Sequence, residues 1–176
     1  MSFTLSQSAL PAFETGLNAL TNILDKAAAY AAAKKIDEAV LLQTRMVPDM
    51  FPFARQIQIV TDTAKNGSAR MAGVEAPKHE DNETSIAELK TRIAETLAFL
   101  KTIDAKAFDA SASKQVTFPL GKANKGEMTG DAYITSFVLP NFYFHLTTAY
   151  AILRNCGVEV GKMDFLGKIA MTRTPV

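Results

Sequence analysis

The sequence predicts an all-α protein, a four-helix bundle that carries a small β-hairpin between its third and fourth helices. Four long segments place apolar residues three and four positions apart, as a helix with one buried face does. The connections between them are short, which favours antiparallel packing of successive helices in a bundle. One stretch near residue 116 instead alternates apolar and polar residues, the period of a strand. The 176 residues suit one domain, residues 1–176.

The composition is that of a globular protein without a nucleic-acid or membrane partner. Apolar residues make up 48% of the chain and charged residues 21%, which is ordinary globular usage. The formal net charge is +1 with scattered basic residues, so no basic surface is expected for a phosphate backbone. No run approaches the roughly 20 apolar residues that cross a bilayer. A single cysteine, Cys156, and the lack of a signal-peptide pattern predict a cytoplasmic protein.

The first helix is predicted over residues 5–34. Pro11 lies inside its pattern and is expected to kink the first turns or to mark a later start. Asp37 is predicted to cap a short helical turn, residues 38–43, which Pro48 separates from the second long helix. The apolar positions of the first helix are Leu5, Ala9, Phe13, Leu17, Leu20, Leu24 and Ala28.

The second long helix is predicted over residues 50–71, with Pro52 in its first turn and Gly73 as its stop. Gln56 and Thr63 lie near its apolar stripe and leave room for a polar patch on an inward face. The stripe itself consists of Phe53, Ile57, Val60 and Ala64. The helix is therefore expected to bring polar side chains towards the bundle interior.

A polar loop, residues 74–82, leads to the third helix, predicted over residues 84–103. Its histidine, His79, stands among charged neighbours, so we expect a solvated side chain rather than a metal ligand. Ser85 and Glu88 have the spacing of a capping box at the start of the third helix.

The predicted hairpin pairs residues 116–120 with residues 127–130 across a turn at residues 121–126. A hairpin is marginally stable alone, so it is expected to pack against the helices.

The fourth helix holds the candidate site. Asp131 is predicted to cap it and Gly157 to end it, with Pro140 bending or dividing it. Asn141 and His145 are four residues apart and therefore share a face. Polar side chains converge in bundle interiors, and neutral histidine is a common metal ligand.

A histidine on an apolar helix is nevertheless more often a core residue with a satisfied hydrogen bond, because a stable metal site generally needs three or more ligands. The oxygen donors available to supplement His145 are Asp49, Asp62, Gln56 and Asn141, a set that suits magnesium, calcium or manganese better than zinc. Catalytic motifs such as GxSxG, the Walker loop and HExxH are absent. The residues alone therefore name no catalytic group, and whether the protein is an enzyme stays open.

Three stretches resemble one bacterial family, the domain of unknown function 1993, over nearly the whole chain. They are Arg45–Gln58, Leu139–Arg154 and Gly161–Gly167. That family is grouped with the DinB/YfiT-like metalloenzymes, so the resemblance implies a DinB/YfiT-like four-helix bundle and a homodimer.

The same resemblance bears on the site. DinB-like proteins bind a divalent metal through one histidine on the second helix and two on the fourth, four residues apart. Matching the fourth helices at their terminal glycine puts His145 on the second of that pair and Asn141 on the first, while the second helix has no histidine here. The resemblance thus implies a ligand pocket lined by His145, Asn141, Asp49 and Gln56, without the three-histidine metal set.

Three functions remain as hypotheses. The first is a DinB-like bundle whose polar interior pocket binds a small molecule. The second is a divalent-metal-dependent enzyme with a degenerate site, in which His145 is the metal ligand and oxygen donors complete the set. The third is a structural or interaction protein that acts as a dimer.

Overall fold

The structure is a computed structural model that describes residues 3–121 and 123–168. It is mostly helical, with one two-stranded antiparallel sheet in the described part of the chain. Within those residues no helix is both long and apolar enough to cross a bilayer. The helices are α1 (Leu5–Lys34), α2 (Glu38–Gln43), α3 (Phe53–Ala72), α4 (Ile86–Leu100), α5 (Ala105–Asp109), α6 (Gly130–Ala132), α7 (Leu139–Asn155) and α8 (Lys162–Leu166), and the strands are β1 (Gln115–Leu120) and β2 (Asn124–Thr129).

The long helices share one apolar core. Helix α1 packs against α4 and α7, and α3 packs against the same two helices, while α8 folds back onto α1. Removing apolar side chains of this size from water stabilises the fold by about 1.5–3 kcal/mol each. Side chains with no exposed surface at the centre include Phe13, Leu17 and Leu20 of α1, Phe53, Ile57 and Val60 of α3, and Phe142 and Ile152 of α7.

Helices α1 and α4 begin where side-chain caps occur in the sequence, and these caps mark the first residue better than the apolar spacing does. Helix α1 begins at Leu5 with a Thr4–Gln7 capping box and runs through Pro11 to Lys34, so a later start is wrong. The Ser85–Glu88 capping box is present, and α4 therefore begins at Ile86 rather than at residue 84.

Helix α3 begins at Phe53, three residues later than predicted. Pro52 precedes it with extended backbone angles, φ −69° and ψ 165°. The Phe53 N–H donates to Thr44 O at 2.9 Å, which ties the helix start to the end of α2. The turn at residues 46–50 consequently lies outside the helix.

The predicted fourth helix is divided by its hydrogen-bond register. A π-helical segment, Tyr133–Val138, separates α6 from α7, and the chain stays helical throughout. Pro140, which has no N–H to donate, stands in the first turn of α7, where the register has just changed. The helical stretch starts at Gly130 after Thr129, so the predicted Asp131 cap is wrong by two residues.

The hairpin is present with a tighter turn than predicted. Strand β2 begins at Asn124, not at residue 127, and Phe118 of β1 faces Gly126 of β2. A Cβ on Gly126 would lie 2.6 Å from the Phe118 ring, so only glycine lets that ring lie across the partner strand. The Val116 and Phe118 side chains are buried, which confirms that the hairpin packs on the rest of the molecule.

Candidate functional site

The candidate site is a hydrogen-bonded pair between α3 and α7, the two helices in most extensive contact. His145 Nδ1 lies 2.7 Å from Gln56 Oε1, and Gln56 Nε2 donates to Phe51 O at 2.9 Å. Gln56 is 1% exposed and His145 9%. Because Gln56 uses its amide nitrogen on a backbone carbonyl, its oxygen faces the imidazole and must accept the hydrogen bond.

This arrangement selects one tautomer of His145. Nδ1 carries the proton that Gln56 accepts, which leaves a lone pair on Nε2. Nε2 has no hydrogen-bond partner among the described residues. It is not shut off from water, so it keeps contact with solvent. Burial, and secondly the positive charge of Arg55, lower the pKa of His145 from 6.5 to about 4. At neutral pH the side chain is therefore an uncharged hydrogen-bond acceptor.

A mostly apolar groove of about 440 Å³ lies beside this pair. The Phe144 ring forms part of its wall and stands perpendicular to the His145 ring, with 5.0 Å between centroids. His145 and Gln56 are not among the lining residues, so the Phe144 ring is what connects the groove to the pair. The lining of the groove is Met46, Met50, Tyr143, Phe144, Thr147, Thr148 and Ala151.

The other two residues of the predicted pocket are placed differently. Asn141, one turn before His145, donates through Nδ2 to Thr63 Oγ1 at 2.9 Å and borders a separate, smaller pocket. Asp49 is exposed in the turn at residues 46–50, whose Met46 and Met50 line the groove. The structure thus joins His145 with Gln56 directly, and neither Asn141 nor Asp49 forms a hydrogen bond with that pair.

Comparisons with known proteins show the family to which the chain belongs. Residues 5–166 match the family model described as domain of unknown function (DUF1993). The chain belongs to the DUF1993 family. A crystal structure of a DinB family member protein from Shewanella denitrificans is 42% identical, covers 97% of this chain and 96% of its own, and superposes with a TM-score of 0.89. No curated protein matches the chain.

The three-histidine metal set of DinB-like proteins does not fit this DUF1993 protein. The sequence has two histidines, His79 and His145, and the side chain of Asn141, which the family resemblance puts at one of the metal positions, is engaged with Thr63. Within residues 3–121 and 123–168 there is no group of three or more histidine, cysteine, aspartate or glutamate side chains placed to hold a metal ion. What His145 retains is an unprotonated Nε2 with Nδ1 held by an amide oxygen, an orientation that second-shell groups also impose on metal-bound histidines.

A second polar cluster in the DUF1993 chain was missed from the sequence. Arg92 of α4 is 2% exposed and binds three carboxylates, at 2.9 Å to Asp62, 2.7 Å to Asp81 and 2.8 Å to Glu83. It also donates from Nε to Thr61 Oγ1 at 2.7 Å. These contacts fasten the loop before α4 onto α3. The signal that the sequence offers for this cluster is weak: an arginine in the predicted third helix, preceded by a loop that contains several acidic residues.

The expectation of a solvated His79 is wrong, because the same cluster encloses it. Its side chain is 8% exposed and lies 3.9 Å from Asp62 and 3.4 Å from Glu95, with Lys65 Nζ 3.5 Å from Nδ1. Burial lowers the pKa of His79, and the charges of Lys65 and Arg92 lower it further, more than the two carboxylates raise it. Charged neighbours on α3 and α4, not apolar ones, hold this loop histidine in place.

Proposed function

We propose that this DUF1993 protein binds a small molecule in the groove beside His145. The observation that carries the proposal is an uncharged imidazole, fixed by Gln56, whose Nε2 lone pair has no partner among the described residues. Because Nε2 keeps contact with solvent, water satisfies this acceptor in the free protein. A ligand that brings an O–H or N–H donor and an apolar body replaces that water and also covers the apolar walls of the groove.

The chemistry of the groove defines the ligand. Its walls are mostly aliphatic and aromatic, so the ligand has an apolar body and one O–H or N–H group directed at His145. Asp49 is proposed at the rim of this groove, whereas Asn141 borders the separate, smaller pocket. The packing of α1 and α3 on the same two helices supports the proposal that the long helices form a DinB-type four-helix bundle.

The test compares two probes that differ in one hydrogen-bond donor. p-Cresol has an apolar ring and a phenolic O–H, whereas 4-methylanisole has the same body with the oxygen methylated. We expect p-cresol to move the ¹⁵N resonance of His145 Nε2 and to bind more tightly than 4-methylanisole. The imidazole of His79, in the cluster around Arg92, is the internal reference and should not move.

A matched variant separates the groove from the acceptor. His145→Phe keeps an aromatic ring and removes Nε2, so it should bind the two probes with equal affinity. If native protein already binds them equally, or if the His145 resonance stays unchanged while the probe binds, Nε2 does not receive a ligand and the proposal fails.

The alternative function is a divalent-metal-dependent enzyme with a degenerate site. The free Nε2 and the Gln56 contact to Nδ1 favour it, since this is how a histidine is oriented towards a metal. Elemental analysis of protein purified without chelators tests it. Bound metal below about a tenth of an equivalent, far from the stoichiometric content of a tight site, would exclude this alternative.

A third role, as a structural or interaction protein that acts as a homodimer, is supported by large apolar side chains that are exposed at or near the groove. Phe144 is 56% exposed, Phe51 54% and Val47 45%, and contiguous exposed apolar patches mark interaction sites. Light scattering should give twice the chain mass, and Phe144→Ser should shift it towards the monomer. Val74→Ser, at a similarly exposed apolar residue in the loop between α3 and α4, is the control and should leave the mass unchanged. A monomeric mass for the native protein would refute the dimer.

A further inference from the structure

A second pocket, of about 200 Å³, lies between α3, the β-hairpin and the π-helical segment. One wall is aromatic: the Phe118 ring centroid is 4.8 Å from that of Tyr133 and 4.5 Å from that of Phe137. This volume is below the roughly 300–1,000 Å³ of drug-sized ligand sites. The pocket therefore suits a small molecule with a flat apolar part.

Two hydrogen-bond donors meet at the polar end of this pocket. Arg70 Nη1 donates to Tyr133 Oη at 3.1 Å, so the phenol oxygen acts as the acceptor and its own hydrogen remains to be donated. Tyr133 is 2% exposed, and its O–H has no acceptor among the described residues. Arg70 forms no ion pair with any carboxylate in the described part of the chain. A buried O–H without an acceptor and a cation without an anion thus lie side by side.

Among the described residues Asp62 is the carboxylate that borders the pocket, and its charge is already paired. Asp62 Oδ1 lies 2.9 Å from Arg92 Nη2 and 3.2 Å from Lys65 Nζ, so its charge is matched on the far side of α3. Arg70 is therefore the cation of this lining whose charge no described carboxylate matches. Opposite it, Thr63 accepts from Asn141 and keeps its own hydroxyl hydrogen for a further bond.

The backbone around the pocket is built to stay in place. Gly67 of α3 approaches the π-helical segment so closely that a Cβ there would lie 2.7 Å from Val138 Cγ1. π-helical segments are rare and are frequent at functional sites. Tyr133 and Phe137 are four residues apart and both rings contact Phe118.

We propose that this pocket binds a small organic carboxylate with an aromatic or similarly flat apolar body. The carboxylate accepts hydrogen bonds from the Arg70 guanidinium and from the Tyr133 O–H, and the ring lies against Phe118 and Phe137. Paired N–H and O–H donors on one anion are stronger than neutral hydrogen bonds. The site is separate from the groove beside His145 and does not depend on the function proposed there.

Benzoate and benzamide test the charge recognition on the native protein. The two probes have the same ring, and only benzoate carries a negative charge. In ¹⁵N-labelled protein at pH 7 we expect benzoate to shift the amide resonances of Gly67 and Tyr133 and the Nε resonance of Arg70. Benzamide should bind at least roughly tenfold more weakly than benzoate. No shift at these groups with benzoate up to about 20 mM, well above a millimolar Kd, would overturn the proposal, as would equal binding of both probes.

Variants locate the effect. Arg70→Gln should weaken benzoate binding by roughly tenfold and remove its advantage over benzamide, while Arg154→Gln, at an exposed arginine of α7 outside the pocket, should leave both unchanged. Tyr133→Phe removes only the O–H and should weaken benzoate binding severalfold. If Arg70→Gln does not fold, the Tyr133→Phe variant and the comparison of benzoate with benzamide on the native protein test the proposal. Arg70→Gln should leave p-cresol binding at His145 intact. Full benzoate affinity in Arg70→Gln, or equal losses in Arg154→Gln, would refute the site.

Discussion

The depressed pKa of His145 makes the stability of this protein depend on pH in a defined window. The unfolded chain has an ordinary histidine pKa near 6.5, whereas burial, together with the charge of Arg55, holds the folded value at about 4. Between these two values the unfolded state binds more protons than the folded state. The free energy of unfolding therefore falls as the pH drops from 6.5 through 4, and the full contribution is present only above 6.5.

The magnitude comes from the same two values. Each pKa unit corresponds to about 1.4 kcal/mol, so lowering the pH from 7 to 4 should remove about 3 kcal/mol of stability through this one group. His145 is buried, so solvent screening takes little from this figure. For a domain whose total stability is about 5–15 kcal/mol, such a loss is large enough to measure.

Urea denaturation at a series of pH values gives the curve, and His145→Phe removes the titrating group. The carboxylates around Arg92 and the second histidine, His79, contribute equally to both proteins. The difference between native protein and variant should therefore shrink by about 3 kcal/mol between pH 7 and 4. The imidazole resonances should independently report a folded pKa near 4 for His145. A measured value within about half a unit of 6.5, or a difference that does not change with pH, would refute the reasoning.

The remaining predictions concern stability and are read by urea denaturation. Gly130→Ala places a Cβ against a backbone carbonyl oxygen before β1 and should lower the free energy of unfolding by about 3 kcal/mol. Gly161→Ala, the control with open space around the new Cβ, should lower it by less than about 1 kcal/mol. Similar losses in the two variants would contradict the packing argument. Arg92→Met leaves three carboxylates facing an apolar side chain and should lower the free energy of unfolding by about 3–5 kcal/mol. The loop before α4 should also be cut faster by proteases. A change in the free energy of unfolding below about 1 kcal/mol would mean that the ion pairs are not stabilising. Gln56→Leu leaves the N–H of His145 without its acceptor and should cost about 1–3 kcal/mol, so unchanged stability would show that the pair is not structural.

The sequence supplied the local features of the fold because they depend on neighbouring residues. Apolar spacing predicted the long helices, and Ser85 with Glu88 predicted the start of α4. Errors fell at ends where a distant contact decides, as at Phe53, whose N–H is taken by Thr44. The change to π-helical register before Pro140 was foreseen only as a bend or a division.

For the site, residue spacing places Asn141 and His145 on one face of a helix, and the family likeness directs attention to that face. Only the tertiary structure shows that His145 pairs with Gln56, 89 residues earlier in the sequence, and that Asn141 pairs with Thr63, 78 residues earlier. Which side chains meet depends on the rotation and axial position of α3 against α7, and both are set by packing of the whole core. Side-chain periodicity contains no such information. The sequence by itself determined which apolar residues of the helices face inwards, and only the tertiary structure decided the burial of Arg92 and His79, the partners of the inward polar residues, their protonation and the pockets they border.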